Sequence, residues 1–406
     1  MVLHDKLPHL LSEASRKIEF YRDYFATHPE LNSALLSSYP VVDKASYLVN
    51  QIAFVSSEHS VDTLKKKYTS GFTGDAMLIY KSAADELAQS RAMWARRREM
   101  GISPKMKCLL FHNYRDRHVV TEKKTRNMLI VNASLFGAHM TLEAMLEIQN
   151  VISEYCPEFI MSSPTNLCDY IYFCDKFGFR LPRISHVELM RESLFSFQKK
   201  LISRRFSVQV INLYVCTELL PLASEIEGSE WLYSFPQNVV FEILTEEGEI
   251  TQKPNSVGAI LVTGLNSYAM PFIRYKIGDV GMLLSTDFSN GLAVQILELR
   301  PGRVAEFVVY GGKSIHVSLI CKMFDEIDIL DIYCLKFKIL YYASTQCINL
   351  YIALSDGTMF ASVQKGIHEW VDENGYNEIF WEVRLCHYEE LLQDCVKYHF
   401  FEVVSN

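Results

Sequence analysis

Strand-length apolar runs alternate with helical stretches through the first half of the chain. Residues 107–112, 127–131 and 159–161 are short apolar runs, and apolar residues three and four positions apart follow them. That spacing is typical of helices, and alternation of strands with helices is typical of an α/β domain with crossover connections. We therefore predict an α/β fold, with helices over residues 141–155 and 164–177.

The character of the sequence changes after about residue 208. The chain then carries apolar runs that Gly, Pro, Asn and Asp turns separate, at residues 208–214, 238–244, 258–263, 280–284 and 293–299. This pattern predicts a strand-rich region. Near the start of the chain, residues 7–25 place their apolar side chains on one face of a predicted helix.

Composition bounds the class of protein. The chain has 406 residues, of which 49% are hydrophobic and 22% are charged, and these globular proportions exclude a mainly disordered or fibrous chain. The net charge of −8 argues against wholesale electrostatic binding to nucleic acid or to an anionic membrane. We expect no membrane span, because no run of 18 apolar residues is present. The ten cysteines contain no Cys-x-x-Cys pair, so we expect buried thiols, no zinc site and a cytoplasmic location.

A loop of small and hydroxyl residues lies at positions 69–74, with the sequence Thr-Ser-Gly-Phe-Thr-Gly. Its two glycines allow backbone N–H groups to turn inward, and its hydroxyl groups add hydrogen-bond donors, which suits a polyphosphate. It is not a P-loop, because no Lys follows Gly74. Taken alone, such a stretch is also typical of an ordinary surface turn.

A second informative segment covers residues 269–279. It is an apolar strand that ends at Gly278 and Asp279, and Arg303 follows further along the chain. A carboxylate at such a turn can accept two vicinal hydroxyls, such as those of a ribose, and a nearby arginine can add donors to the same sugar. The alternative is an aspartate that only caps a turn.

Together and in this order, these segments resemble the adenylate-forming superfamily of acyl- and aryl-CoA synthetases, adenylation domains and luciferases. The likeness is to the phenylacetate-CoA ligase branch, including its capsule-cluster relatives, and it extends over nearly the whole chain. Residues 69–74 match the T-S-G-x-T-G loop, residues 214–218 match Y-G-x-T-E, and residues 269–279 match A-M-P-x-I-R-Y-x-x-G-D. Gly302-Arg303 matches the Gly-Arg pair at the domain boundary, and Lys397 falls where the family has its catalytic lysine.

The resemblance implies a large ATP- and acid-binding domain of mixed sheets and helices over residues 1–302. It implies a smaller, mobile α+β domain over residues 303–406, which carries the candidate lysine. The implied ligands are ATP, Mg²⁺ and a small carboxylic acid, with coenzyme A as co-substrate and neither nucleic acid nor membrane as partner.

The resemblance also implies a role for each matched residue. The implied nucleotide-binding residues are Thr69, Ser70, Gly71, Thr73, Gly74, Tyr214, Asp279 and Arg303. The implied catalytic residues are Thr217 beside the α-phosphate, Glu218 as the Mg²⁺ ligand, and Lys397 against the negative charge of the transition state. Two structural alternatives stay open: Glu218 as a carboxylate at a helix start, and Lys397 as a solvated tail lysine.

The chain departs from the family pattern at several positions. Val215 stands where the family has Gly, and residues 190–192, Met-Arg-Glu, replace the Gly-Gly-Glu that lies near the adenine. Ala305, followed by Glu306, occupies the place of the Asp about which the small domain turns. Phe136 lies where a pocket-forming segment is expected.

The predicted function is ATP-dependent activation of a small carboxylic acid, with an aromatic acid favoured, as an acyl-adenylate. The acyl group would then pass to a thiol, with coenzyme A favoured. Ala305 motivates an alternative in which the acceptor is a carrier protein or an amine. Val215, the changed residues 190–191 and the missing Ser/Gly context of Lys397 motivate a third hypothesis, a catalytically silent relative that binds a nucleotide or a partner protein.

Overall fold

The structure of the protein, a computed structural model, describes residues 6–69, 76–114, 121–289, 292–393 and 398–404. Its α-helices are α1 (Leu7–Lys17), α2 (Glu19–Thr27), α3 (Lys44–Val49), α4 (Ala83–Glu99), α5 (Leu142–Tyr155), α6 (Pro164–Phe177), α7 (Ser196–Phe206), α8 (Val317–Cys321), α9 (Met323–Glu326), α10 (Asp328–Tyr333) and α11 (Phe360–Glu373).

Strands alternate with these helices through much of the chain. They are β1 (Val42–Asp43), β2 (Lys65–Tyr68), β3 (Leu78–Lys81), β4 (Cys108–His112), β5 (Thr121–Lys124), β6 (Met128–Asn132), β7 (Phe159–Ser162), β8 (His186–Leu189), β9 (Val210–Cys216), β10 (Leu220–Ser224), β11 (Leu232–Ser234), β12 (Val239–Leu244), β13 (Ile250–Thr251), β14 (Ser256–Gly264), β15 (Tyr275–Ser289), β16 (Leu292–Arg303), β17 (Phe307–Tyr310), β18 (Lys313–His316), β19 (Cys334–Tyr342), β20 (Cys347–Leu354), β21 (Phe380–Leu385) and β22 (Phe401–Val404).

The chain forms two compact units, and each is built from two separate segments. The first unit consists of Met1–Ser103 and Leu213–Val304, and the second consists of Pro104–Asn212 and Ala305–Asn406. The predicted boundary between the large and the small domain lies between residues 302 and 303. One boundary between the two units, between Val304 and Ala305, is close to it. The assignment of residues 303–406 to a separate mobile domain stays a prediction.

The first unit is dominated by an antiparallel sheet. Its strands run in the order β13-β12-β14-β15-β16-β11-β10-β9, and β1 lies parallel to β15. Strands β2 and β3 form a separate antiparallel hairpin. Buried apolar side chains of the sheet, among them Phe241, Ile260, Val262 and Leu283, form one core. The strand-rich region predicted after about residue 208 is confirmed.

The second unit contains a parallel sheet and a smaller mixed sheet. The parallel strands lie in the order β9-β8-β7-β4-β6, with β5 antiparallel at the edge beside β6. The smaller sheet has the order β21-β20-β19-β22. Its core includes Phe195 and Phe197, which lie just before and within α7. The predicted α/β class, with a smaller α+β element near the C-terminus, is confirmed.

Local sequence explains where several helices begin and end. Helix α6 begins after Ser163, whose side chain accepts a hydrogen bond from the N–H of Asn166, and it ends at Gly178 with φ of 75°. The predicted helix over residues 7–25 is wrong in one respect. It is broken at Ile18, which is extended, buried and bridged to Ser56, so two shorter helices form.

Two further features concern the chemistry of the described residues. No described helix is long and apolar enough to cross a membrane. The described cysteines are unpaired, and Cys156 is exposed whereas Cys168, Cys321 and Cys334 are buried. Burial raises the pKa of these three thiols, which keeps them in the protonated form.

A buried ion pair fixes the C-terminal segment within the second unit. Lys336 Nζ lies 2.7 Å from Asp169 Oδ1, and the two side chains are only 5% and 7% exposed. The Tyr388 hydroxyl donates to the same carboxylate oxygen at 2.6 Å. The ammonium also lies 5.1 Å from the ring centroid of Tyr388 and 4.8 Å from that of Tyr398. Both charges are therefore compensated where water is excluded.

This ion pair predicts a large difference between two lysines of β19. Lys336→Met leaves the Asp169 carboxylate buried without its cation, so the free energy of unfolding should fall by about 3–5 kcal/mol. Lys338→Met removes only the ion pair with Glu402, whose side chain is 54% exposed, and should cost less than about 1 kcal/mol. Urea unfolding of both variants measures the difference. Equal losses would contradict the interpretation.

Candidate functional site

The predicted phosphate loop connects the two strands of a hairpin in the first unit. Strands β2 and β3 pair in antiparallel register, with Tyr68 opposite Leu78. Thr69 closes the hairpin, because its N–H donates to the Met77 carbonyl at 3.0 Å and its Oγ1 accepts from the Met77 N–H at 3.0 Å. The predicted phosphate ligands Ser70, Gly71, Thr73 and Gly74 lie outside the described residues.

The helix that follows this hairpin is bonded to the segment that leads into the 269–279 motif. Helix α4 begins with a capping box of Ser82 and Asp85. The Asp85 carboxylate also accepts hydrogen bonds from the N–H groups of Tyr268 at 3.2 Å and Ala269 at 3.1 Å. Gln89 Nε2, one turn further, donates to Ser267 Oγ at 3.0 Å. The loop that predicts phosphate binding and the motif that predicts ribose binding are thus joined through α4.

The predicted ribose-binding residues come together at one end of β15. Asp279 and Arg303 face each other in register between β15 and β16 and form an ion pair. The Tyr214 hydroxyl donates to the other carboxylate oxygen of Asp279 at 2.7 Å. Gly278 has φ of 92°, and an added Cβ would lie 3.4 Å from the Arg303 guanidinium. The predicted strand end at Gly278 and Asp279 is wrong, because β15 continues to Ser289 and shifts register directly after Asp279. Gly278 provides the left-handed backbone next to this irregularity.

The Asp279 carboxylate keeps the capacity to bind a ligand. Its side chain is 25% exposed and that of Arg303 is 35% exposed. Each carboxylate oxygen has two acceptor positions, and the described contacts use one on each. Two vicinal hydroxyls of a sugar can therefore be accepted without breaking the existing bonds.

The turn between β9 and β10 carries the predicted catalytic pair Thr217 and Glu218. Glu218 is buried, and its Oε1 accepts from the Tyr275 hydroxyl at 3.0 Å. Burial, followed by the charge of Glu218, raises the pKa of Tyr275, so the tyrosine stays a donor. Cys216 Sγ accepts from the Leu219 N–H at 3.3 Å and shapes the turn. Thr217 is half-buried at its tip.

Glu218 is not a helix-start carboxylate, because it lies in a β-turn between two antiparallel strands. That structural alternative is therefore wrong. Lys397 lies outside the described residues, so its role as catalytic lysine or solvated tail lysine stays a prediction.

Sequence reasoning missed Lys81, the last residue of β3. Its side chain is buried, and its Nζ donates to Gln89 Oε1 at 2.9 Å. Burial lowers the pKa of Lys81 to about 8, and the nearby Cys216, Glu86 and Glu218 act in the opposite direction. A lysine at the end of a short strand carries no sequence signal, because its burial depends on partners distant in the chain.

Arg274, in the centre of the best-matched motif, has a structural role. Its guanidinium forms a buried, two-pronged ion pair with Glu242, at 3.0 Å and 2.7 Å. It also donates to the carbonyls of Ser37 and Tyr39. Phe136, the expected pocket residue, is 4% exposed and packs against the rings of Phe111 and Tyr170. Both side chains contribute to cores rather than to an open site.

The buried ammonium of Lys81 predicts a pH dependence of stability. Since its pKa falls from 10.5 to about 8 on folding, the unfolded chain binds more protons between these values. The contribution of Lys81 to stability should therefore rise as the pH rises from about 8 towards 10.5. Unfolding of the natural protein and of Lys81→Met at pH 7.5 and 9.5 measures this, because the other titrating groups are common to both proteins.

The natural protein should gain stability relative to Lys81→Met at the higher pH. Lys67→Met is the matched control, because Lys67 lies in the same hairpin and is 37% exposed. A difference that does not change with pH, or that changes equally for Lys67→Met, would contradict the assignment.

Comparisons with known proteins give matches in structure only. No protein family model matches this chain, and no curated protein matches it in sequence. A 2-hydroxyisobutyryl-CoA ligase, solved in the postadenylation state with R3-HIB-AMP, has a TM-score of 0.74 at 14% identity, covering 98% of this chain and 88% of that chain. The AtGH3.15 acyl acid amido synthetase, solved with 2,4-DB, has a TM-score of 0.66 at 12% identity, covering 98% and 90%.

ATP-bound MatB from Rhodopseudomonas palustris is also similar, with a TM-score of 0.53 at 16% identity, covering 83% of this chain and 68% of that chain. At these identities the likeness establishes the fold. The matched proteins are adenylate-forming enzymes, and the order of motifs in the sequence predicts that superfamily independently. The chain therefore has the fold of the adenylate-forming superfamily.

Proposed function

We propose that this protein activates a small carboxylic acid with ATP to an acyl-adenylate and transfers the acyl group to a thiol, with coenzyme A as the favoured acceptor. The observation that carries the proposal is the meeting of Tyr214, Asp279 and Arg303 at one end of β15. The motif order and the shared fold support it. A cytoplasmic location stays part of the proposal, since ATP and coenzyme A are supplied there.

In the first step, a carboxylate oxygen of the acid attacks the α-phosphorus of ATP. The bond to the β-phosphate oxygen breaks, and pyrophosphate leaves with its electron pair. Asp279 and Arg303 would hold the ribose, while Thr69 and residues 70–74 would hold the phosphates. Thr217 would lie beside the α-phosphate, and Lys397 would offset the negative charge that spreads over the transition state.

Mg²⁺ is the metal that this chemistry implies, and Glu218 is its candidate ligand. One carboxylate combined with substrate phosphate oxygens is a usual donor set for Mg²⁺, so the residue type fits. The bound ion would offset the charge of the phosphates. Tyr275 contributes by holding one carboxylate oxygen of Glu218 through the hydrogen bond at 3.0 Å.

In the second step, the thiol attacks the carbonyl carbon of the adenylate, loses its proton, and AMP leaves. Among the similar structures, one is named a CoA ligase and another an acyl acid amido synthetase, so the fold serves more than one acceptor. Ala305 keeps the carrier-protein and amine alternatives open, because the pivot aspartate of the family is absent there. Product analysis with coenzyme A, a carrier protein and free amino acids supplied separately distinguishes these acceptors.

Loss of the Asp279 charge should weaken nucleotide binding. Asp279→Asn removes an ionised acceptor for the ribose, so the KM for ATP in pyrophosphate exchange should rise roughly 10- to 100-fold, the range that hydrogen bonds to charged groups give. The matched control is Asp287→Asn, on the same strand and exposed, which should leave the KM unchanged. An unchanged KM for Asp279→Asn would contradict the ribose assignment.

Lys397→Ala should separate the two half-reactions. If Lys397 stabilises charge at the α-phosphate, its loss depresses adenylate formation far more than acyl transfer from preformed adenylate. Lys365→Ala, a 76% exposed lysine of α11, is the control and should change neither rate. Equal loss of both rates would contradict the role. Binding of ATP in calorimetry, with no pyrophosphate exchange across a broad acid panel, would favour the silent relative instead.

A further inference from the structure

Arg191 has a backbone conformation that arginine rarely adopts. It follows β8 directly, and its φ is 80°. This left-handed region suits glycine, which is the residue that the family pattern has at this position. A side chain with a Cβ is strained there, and such strain concentrates at functional sites. The strain therefore prompts the question of what the guanidinium does.

Arg191 reaches across the carboxyl edge of the parallel sheet. Its Nη1 donates to Nδ1 of His112, the last residue of β4, at 2.6 Å. Strand β7 lies between β8 and β4, so the side chain crosses above the carboxyl end of β7.

This edge is the topological switch point of the sheet. Numbered along the chain, the parallel strands β4, β6, β7, β8 and β9 have the spatial order 2-1-3-4-5. In sheets of this order, ligands bind at the carboxyl ends of the first and third strands, where the connections diverge. These strands are β4 and β7, and the Arg191–His112 contact lies at their ends.

Arg191 is hydrogen-bonded to a ring nitrogen rather than to a carboxylate, although the charge of Glu192 acts on the guanidinium from nearby. A guanidinium only donates, so His112 Nδ1 accepts and the imidazole is neutral. Within the described part of the chain, Arg191 forms no salt bridge, unlike Arg205 with Asp175 or Arg303 with Asp279. The nearest acidic residue in sequence, Glu192, accepts hydrogen bonds from backbone N–H groups.

A second group at the same edge is without a partner. The hydroxyl of Ser162, the last residue of β7, is 1% exposed and has no hydrogen-bond partner among the described residues. Nearby, Asn166 Nδ2 donates to Asn113 Oδ1 at 3.0 Å. Polar side chains are thus present at this end of the sheet, whereas Phe136 is buried in the core.

We propose that Arg191 is an oxyanion-binding residue, which takes a carboxylate or phosphate group of a substrate at the switch point of the sheet. Arginine suits both groups through its planar set of donors. The identity of the substrate rests on the proposed function. The oxyanion is a second acidic group on the carboxylic acid, a phosphate of ATP, or a phosphate of coenzyme A.

Arg191→Gly tests the proposal without harming the fold, because glycine relieves the strain at positive φ. The matched control is Asn255→Gly, at an exposed residue with φ of 62° in the first unit. Both variants should be at least as stable to unfolding as the natural protein. Only Arg191→Gly should lose oxyanion binding.

Calorimetric titration distinguishes the sources of the oxyanion. Three probes represent the three sources: terephthalate for an acid with a second carboxylate, ATP, and adenosine 3′,5′-bisphosphate for the head group of coenzyme A. Benzoate, which lacks the second carboxylate, is the reference compound for terephthalate. We expect Arg191→Gly to weaken one probe roughly 10- to 100-fold, whereas Asn255→Gly leaves all of them unchanged. If Arg191→Gly weakens the binding of terephthalate, the variant should bind terephthalate no more tightly than benzoate. Its KM for terephthalate should likewise no longer be lower than its KM for benzoate.

Equal affinity of the natural protein and Arg191→Gly for every probe would overturn the proposal, and so would the absence of binding of all probes at millimolar concentration. Its failure is separable from that of the proposed function. If the natural protein gives no pyrophosphate exchange but Arg191→Gly still weakens one probe, the ligase proposal fails and oxyanion binding stands.

Discussion

One buried carboxylate connects the parts of the first unit on which the candidate site depends. The Asp85 carboxylate accepts from the N–H of Ser82, the N-cap of α4, directly after the hairpin that bears the predicted phosphate loop. It also accepts from the N–H groups of Tyr268 and Ala269. These amides lie in the segment that leads into β15, the strand that contains Asp279. A buried amide without an acceptor is costly, so the arrangement of the two segments is strongly determined. The arrangement of the segments predicted to bind phosphate and sugar is then fixed by the fold rather than by a ligand.

Charges within this protein are compensated in different ways according to their task. Arg274 and Glu242 satisfy each other fully and hold the motif strand in place, whereas Asp279 and Arg303 pair at a partly exposed position where a ligand can share their donors and acceptors. Among the described residues, Lys81 donates to the neutral amide of Gln89, and its burial lowers the pKa of the ammonium to about 8. The buried ion pair thus stabilises the fold, whereas the partly exposed ion pair can also contact a ligand.

Much of the fold follows from local sequence. The helix at Pro164–Phe177 could be predicted to the residue because serine, proline and glycine mark its ends, and the strand-rich region is evident from its turns. The break at Ile18 could not, since it arises from pairing with Ser56. The contact of Asp279 with Tyr214 and Arg303 joins residues that contiguous motifs predicted, and their role in binding stays a prediction. Lys81 escaped prediction, and Arg191 was noted only as a departure from the family pattern, because their environments come from residues far away in sequence. The roles of Ser70, Gly71, Thr73, Gly74 and Lys397 stay predictions.

The division of each unit into two separated segments has a consequence for synthesis of the chain on the ribosome. The first unit needs residues up to 304, and the second needs the C-terminal segment that supplies Lys336 to Asp169. Strands β4 and β6 to β8 leave the ribosome long before Lys336 does. The apolar surfaces that pack against the C-terminal segment therefore stay exposed until that segment is synthesised. Nascent chains of this kind expose aggregation-prone surface for longer than chains whose domains are contiguous. Production in the cell should therefore benefit from abundant chaperones, and a C-terminal truncation at any point before residue 304 removes part of both units.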